Sequence, residues 1–184
     1  MTGPRKTLHD VLGDAQKWGT LGRRPISEVI EHARQFLQPL EACTGDVIDL
    51  GTGAGVPGLV IADARPDLRL VLVDRRATRI DALRRAVASM ALDDRVEAIT
   101  SEVESLTRDP EHAGRYAAVV SRGFGPPEVT LRLARALAKN GGTIVISEPP
   151  AGTPSRWPAD LLAELSLEAD LIHPGVAVFH VKQG

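Results

Sequence analysis

The pattern of hydrophobic and polar positions changes character near residue 46. Downstream of it, short apolar runs rich in Val, Ile and Leu alternate with longer segments of helical period, as expected when helices cover both faces of a parallel sheet. The runs VIDL (47–50), LRLVLVD (68–74), RVEAIT (95–100), YAAVVS (116–121) and TIVISE (143–148) predict five strands. LSLEADLI (165–172) and VAVFHVK (176–182) predict two more. Only His173-Pro174-Gly175 joins that last pair, too little chain for a crossover helix, so the two must be antiparallel.

Between the strands, Ile80, Leu83, Val87 and Met90 share one helical stripe, and Arg75, Arg76, Arg84 and Arg85 fall largely off it. Pro126 and Pro127 open the next helix, with Val129, Leu133 and Leu137 as its apolar row and Asn140-Gly141-Gly142 as a left-handed stop. Ahead of the sheet, Ile26, Val29, Ile30, Ala33, Phe36, Leu37 and Leu40 predict one amphipathic helix, and Leu8, Val11, Leu12 and Ala15 a shorter one. The Gly-rich, basic segment 18–25 between them reads either as a surface linker or as an element that moves with substrate at the sheet's active edge. The expected architecture is α/β: a Rossmann-like sheet of seven strands, the last antiparallel, over 46–184, with a short helical extension over 1–45.

Composition narrows the class without deciding the partner. A chain of 184 residues, 43% hydrophobic, suits one domain with its own core. With 22 basic and 24 acidic side chains the formal charge is -2, so the average surface does not advertise nucleic-acid binding, although a local basic face is compatible with it. The single cysteine, Cys43, rules out an internal disulfide and a Cys-rich zinc site, and His9, His32, His112, His173 and His180 show no ligand spacing, so no metal is expected. No apolar run approaches the ~18 residues of a membrane span and the start lacks a signal-peptide core; a soluble, cytoplasmic protein with no membrane partner is expected, its oligomeric state left open with a monomer favoured.

The chemistry concentrates at the first strand end, Asp49-Leu50-Gly51-Thr52-Gly53-Ala54-Gly55, followed by Val56-Pro57-Gly58. Ligands of open parallel sheets bind beyond the carboxyl ends of the strands, where glycines let backbone approach a ligand and the following helix N-terminus, near Pro57, faces its anionic groups. Two cofactors compete for the motif. Gly53 to Gly58 satisfies the GxGxxG dinucleotide fingerprint, with Asp74 about 20 residues on as ribose ligand. Asp49 favours S-adenosyl-L-methionine instead: a carboxylate there pairs with the methionine ammonium but repels a pyrophosphate. Asp74, ending the second strand, reads as a ribose ligand or as a helix cap. After the third strand, Val103 is placed to pack on an adenine and Glu104 to bond its amine, with surface charge as the simpler account of the glutamates.

Three blocks carry a resemblance to a known family: VIDLGTGAGVPGLVIA (47–62), LVDRRATRIDAL (72–83) and VVSRGFGPP (119–127). The chain resembles, over about Glu31 to Glu148, the bacterial 16S ribosomal RNA guanine-N7 methyltransferases, also called glucose-inhibited division protein B. The resemblance implies a class I methyltransferase sheet, S-adenosyl-L-methionine as methyl donor, and ribosomal RNA or the small ribosomal subunit as partner. Its implied cofactor set is Asp49, Gly51, Thr52, Gly53, Gly55, Pro57, Gly58, Asp74, Arg75, Val103, Glu104 and Ser121. Asp74, Arg79, Leu83, Ser121, Arg122, Phe124 and His32 match the family pattern. Thr78 stands where the family has lysine, Glu102 where it has arginine, and Glu148 near where it has a lysine; the N-terminal helical region is also short.

Transfer of a methyl group from sulfur to guanine N7 needs alignment and removal of water but no general base, because N7 has a free lone pair. Arg122 is the candidate catalytic and substrate-binding residue, facing a phosphate or guanine O6; an ion pair with Asp49 or Glu148 is its structural alternative. Phe124 is the candidate for stacking on the target base, or else core packing. The Arg75, Arg76, Arg79, Arg84 and Arg85 set reads as a phosphate-facing surface or a solvated helix face. A small-molecule methyltransferase of the same fold and a non-catalytic cofactor-binding module are the competing functions.

Overall fold

In the computed structural model, which describes residues 4–149, 155–170 and 173–183, the order is α1 (Leu8–Lys17), α2 (Ile26–Arg34), a 3₁₀ turn (Gln38–Leu40), β1 (Asp46–Leu50), α3 (Gly58–Ala64), β2 (Arg69–Asp74) and α4 (Ala77–Ser89). Then come β3 (Val96–Thr100), α5 (Val103–Leu106), β4 (Tyr116–Ser121), α6 (Pro127–Leu137), β5 (Ala138–Ser147), α7 (Ala159–Glu164), β6 (Leu167–Asp170) and β7 (Val176–Val181). The strands form one seven-stranded sheet in the order β3-β2-β1-β4-β5-β7-β6. Pairings from β3 through β5 are parallel, and β7 runs antiparallel to both β5 and β6. The sequence of connections reverses between β1 and β4, so their carboxyl ends flank the crevice where ligands of such sheets sit.

Consecutive strand residues face opposite sides, and two hydrophobic clusters result. Val47, Leu70, Leu72 and Val120 pack beneath α1 to α4, whereas Ile48, Leu50, Val119 and Phe179 pack beneath α6 and α7. The first two helices bury Leu8, Leu12, Val29 and Ala33 in the same cluster as β1 and β2, which fixes the segment between them against the sheet edge. α1 is closed by a capping box: the Thr7 side chain and the Asp10 amide, and the Asp10 carboxylate and the Thr7 amide, bond reciprocally.

Three local expectations are corrected. The helix predicted from Ile26 to Leu40 stops at Arg34, and Phe36 and Leu40 reach the core from the turns that follow. The buried row of α6 is Thr130, Leu131, Ala134 and Leu137; Val129, expected inside, is 45% exposed. Packing of Leu131 and Ala134 against the sheet sets the helix rotation, which turns Val129 outward. Helix α6 also ends at Leu137, before Asn140-Gly141-Gly142, and Gly141, with φ +72°, lies in an irregular start of β5 where the register against β4 jumps between Tyr116 and Ala118. The predicted strand 165–172 begins at Leu167; its last two residues lie outside the described set. No helix among the described residues is long and apolar enough to cross a membrane.

Candidate active site

Alternation along β1 sends Val47 and Asp49 to the α1–α4 side, and Asp49 is fully buried there. One of its oxygens, Oδ2, accepts from the Thr52 hydroxyl at 2.7 Å and from the Gly58 amide at 2.9 Å. The carboxylate therefore staples the loop to the start of α3, and it takes the first helix amide that was expected to face a ligand. The other oxygen, Oδ1, is buried and without a hydrogen-bond partner among the described residues. Burial pushes the Asp49 carboxyl up to about 6, against the Thr52 and Gly58 hydrogen bonds and the positive charge of Arg122, which pull it down, while Asp74 raises it. A buried, half-satisfied carboxylate is costly by itself and fits a cationic group brought by a ligand.

The loop glycines divide into two kinds. A Cβ on Gly58 would lie 2.3 Å from Leu72 Cδ2 and 2.8 Å from Asp49 Oδ2, and one on Gly55 would lie 2.7 Å from Leu59 and 2.8 Å from Leu83. Those two glycines serve helix–strand packing. A Cβ on Gly53 would make only ordinary contacts, 3.8 Å from Arg79 Nη1, and its φ of +58° is what favours glycine. A Cβ on Gly51 would lie 2.5 Å from the Phe124 ring, which comes from the other side of the crevice. Pro57 is buried as the residue preceding α3, and Thr52 also donates its amide to Val73 O at 2.8 Å, tying the loop to β2.

Asp74 closes β2 beside the loop. Its Oδ2 accepts from the Gly53 amide at 3.2 Å and from Arg79 Nη1 at 3.3 Å, and its Oδ1 accepts from the Arg76 amide at 2.9 Å. The Arg76 bond lies just ahead of α4, whose N-cap residue is Arg76 itself with no side-chain cap hydrogen bond, so Asp74 is not the helix cap, and its carboxylate still has lone pairs to spare for hydroxyl donors. An open cavity of about 430 Å³ starts here, lined on one side by Gly51, Asp74, Arg75 and Arg79. The opposite wall holds Glu102, Val103 and Glu104, with Gly123, Phe124 and Val129 across the mouth. Its volume falls in the range of small-molecule sites, roughly 300 to 1,000 Å³. Val103 is buried, Glu104 and Arg75 are exposed, and Ser121 is buried away from the cavity, donating its hydroxyl to Leu50 O at 3.2 Å.

Arg122 continues the alternation of Val120 and so lies on the α2 side of the sheet edge. It makes no hydrogen bond or ion pair among the described residues, and burial lowers its pKa while Asp49 raises it. Neither ion pair foreseen for Arg122 forms. Asp49 is bonded elsewhere, and Glu148 accepts from Arg156 Nη2 at 3.2 Å and from the Trp157 indole N–H. The charges of Arg122 and Arg24, behind burial itself, hold the His32 pKa below its ordinary value, so these three groups face one region.

The family model described as rRNA small subunit methyltransferase G matches residues 12–148. The chain belongs to that family. The ribosomal RNA small subunit methyltransferase G of a Nocardioides species is 40% identical over 150 residues, covering 76% of this chain and 57% of its own. The chain spans about half the length of the first curated relatives it matches. Among solved structures, mmp1179 of Methanococcus maripaludis aligns with TM-score 0.66 and 16% identity, over 100% of this chain and 98% of that one. The precorrin-6y C5,15-methyltransferase of Geobacter metallireducens aligns with TM-score 0.61 and 15% identity, over 83% and 87%. These likenesses establish the Rossmann-like class I methyltransferase fold.

Set against the family pattern, the strand-end change at Glu148 has a local explanation. The carboxylate serves Arg156 and Trp157, whose ring lies edge-on to Phe179 at 5.0 Å under the β5–β7 side of the sheet. Its negative charge is paired inside this chain. The sequence reading left out Arg79 as a cavity wall, together with Gly123, Gly125, Pro126 and Val129. The available signal was an apolar Val129 one position off the stripe that Leu131 and Ala134 define.

Proposed function

We propose that this protein transfers the methyl group of S-adenosyl-L-methionine to small-subunit ribosomal RNA, at guanine N7. The observation that carries the reading is Asp49, buried with one oxygen unpartnered at the switch point of a family-typical sheet. That oxygen suits the methionine ammonium, Asp74 suits the ribose hydroxyls, and the cavity between Val103 and Arg79 suits the adenosine. Gly51, Gly53 and Thr52 shape the backbone against which the donor lies; Gly55, Pro57, Gly58 and Ser121 hold that backbone through packing and hydrogen bonds.

When bound, the donor supplies a methyl group on a sulfonium, which passes to an acceptor lone pair as the carbon–sulfur bond breaks and leaves a neutral thioether. Because N7 loses no proton, the residues here need only align the base and exclude water. Arg122, without a hydrogen-bond or ion-pair partner among the described residues, is offered to a phosphate or to guanine O6, and Phe124, at the crevice mouth, to the base face. Paired Glu148 removes the local reason for preferring a small-molecule acceptor. An RNA substrate of this kind implies a cytoplasmic site of action.

Calorimetry with S-adenosyl-L-methionine and with NAD tests the donor; binding of NAD in preference refutes it. Tritiated methyl transfer to undermethylated 30S particles, to naked ribosomal RNA and to a metabolite extract tests the acceptor. Label in RNA is the expected outcome, and label confined to small products refutes the RNA assignment.

A further inference from the structure

Trp18 is the one large aromatic side chain strongly exposed among the described residues, at 60%. Its exposure is not that of a loose loop. The turn following α1 is tied down by the Thr20 and Leu21 amides, which donate to Ala15 O at 2.9 and 3.1 Å, and by the Thr20 hydroxyl, which donates to the same carbonyl at 3.0 Å. Gln16 Nε2 donates to Gly22 O and Arg24 O, bracing the far side of the turn, and Leu21 packs against the core. A fixed backbone thus presents a bare indole to solvent.

Its position makes that presentation useful. Trp18 and Thr20 share a cleft with Gly53, Ala54 and Arg79, and Arg79 also lines the main cavity. The indole therefore sits at the lip of the glycine loop, one side chain away from the cavity. Arg23 and Arg24, exposed on the same turn, have no ion-pair partner among the described residues. The Arg24 charge is felt at both His32 and Arg122, so the turn is electrically continuous with the end of β4. An aromatic face flanked by unpaired guanidinium groups is the combination that holds single-stranded nucleic acid: bases stack on the ring and phosphates meet the cations.

We propose that the turn from Trp18 to Arg24 is an RNA-binding platform, on which Trp18 stacks an unpaired nucleobase while Arg23 and Arg24 contact the flanking phosphates. The proposal rests on the RNA reading of the function and names a surface for it outside the cofactor cavity. It places the stacked base beside the nucleotide presented at Arg122, so the platform sets the register of the strand.

The chain contains two tryptophans, and Trp157 is only 8% exposed, so added RNA reads out on Trp18 by fluorescence. A short single-stranded RNA of mixed sequence, titrated at low salt, is expected to quench the emission of the full chain and not that of Trp18→Leu, while inorganic polyphosphate, which carries charge without bases, leaves it unquenched. Trp18→Ala is expected to weaken RNA binding and raise the KM for undermethylated 30S RNA about 5- to 150-fold, with Trp18→Phe recovering most of it and S-adenosyl-L-methionine affinity unchanged. Equal quenching by polyphosphate, or quenching that depends on protein concentration instead of RNA, overturns the stacking role. If the wild type methylates RNA and Trp18→Ala does so with an unchanged KM, the platform is refuted and the function stands. If the wild type neither methylates RNA nor is quenched by it, the functional reading fails and the platform with it.

Discussion

The loop after β1 and the loop after β4 face each other across the same crevice and are built on opposite terms. The first is over-determined: Asp49 bonds Thr52 and Gly58, Thr52 bonds Val73, and Gly55 and Gly58 are wedged against Leu59, Leu83 and Leu72. The second carries Arg122 with no hydrogen-bond or ion-pair partner among the described residues, exposed Gly123 and Gly125, and the half-buried Phe124 leaning back onto Gly51. The difference teaches which half of the site the fold itself builds. A backbone proposed to meet the same donor every time is fixed by packing, whereas the loop proposed for the acceptor carries a guanidinium that no hydrogen bond or ion pair among the described residues engages.

The comparison breaks most visibly at Gly58. Replacing it by Ala forces a methyl group into Leu72 and Asp49 in a fully packed region, an overpacking cost of about 3 kcal/mol. The melting temperature is expected to fall by about 6 to 12 °C for a chain of this size. Gly53→Ala meets only ordinary van der Waals contacts and costs the left-handed backbone, about 1 kcal/mol. Thermal denaturation of both variants checks the division; equal losses would show that the loop is not split between packing and ligand duties.

Asp49→Asn separates the two duties within one residue. Its raised pKa means that the buried group carries no ionisation penalty below about pH 4, acquires it as pH climbs through the interval up to about 6, and bears it fully above. Removing the charge is therefore expected to leave stability at pH 8 unchanged or improved, while S-adenosyl-L-methionine affinity drops by about 2 kcal/mol, roughly 30-fold. The wild type should lose affinity up to about tenfold per pH unit below pH 6, since the ligand's amino group, with a pKa near ~8, stays cationic there. Calorimetric titration from pH 5 to 8 reads this directly, and a flat profile for the wild type would dissociate Asp49 from the ammonium.

On the facing loop the effects reverse. Arg122→Ala removes a half-buried cation that burial already disfavours and that bonds nothing among the described residues, so the melting temperature should hold within about 2 °C. Methyl transfer to RNA should fall by about 1 to 3 kcal/mol, or roughly 5- to 150-fold in kcat/KM. A destabilised variant with normal activity would make Arg122 a structural residue.

The sheet was legible because strand runs and helical stripes each serve one buried face, and the tight His173-Pro174-Gly175 link forces the antiparallel end of the fold. The glycine loop was legible as a motif but not in its division of labour, since Gly55 and Gly58 owe their identity to Leu59, Leu83 and Leu72, which arrive from elsewhere in the chain. Arg122 and Phe124 could be placed at a strand end by periodicity. Their partners, or lack of them, depend on how α2, α6 and the 155–157 segment return to that edge. Val129 shows the same limit on a small scale: the apolar residue was visible, and the helix rotation that exposes it was set by packing of Leu131 and Ala134.

Glu148 tests whether a residue near the crevice belongs to either loop. It stands near the position where the family carries lysine, yet it bonds Arg156 and the Trp157 indole, and the Arg156 guanidinium lies 5.2 Å from the Trp157 ring centre. Glu148→Lys would leave the indole N–H unmatched and set two cations side by side, costing about 1 to 2 kcal/mol, or about 4 °C in melting temperature. RNA methylation by the folded variant should be unchanged, because the lost charge was already paired within the chain. A clear gain in RNA methylation instead would mean that the paired carboxylate still repels the incoming phosphates, and would extend the acceptor surface from the β4 loop onto the end of β5.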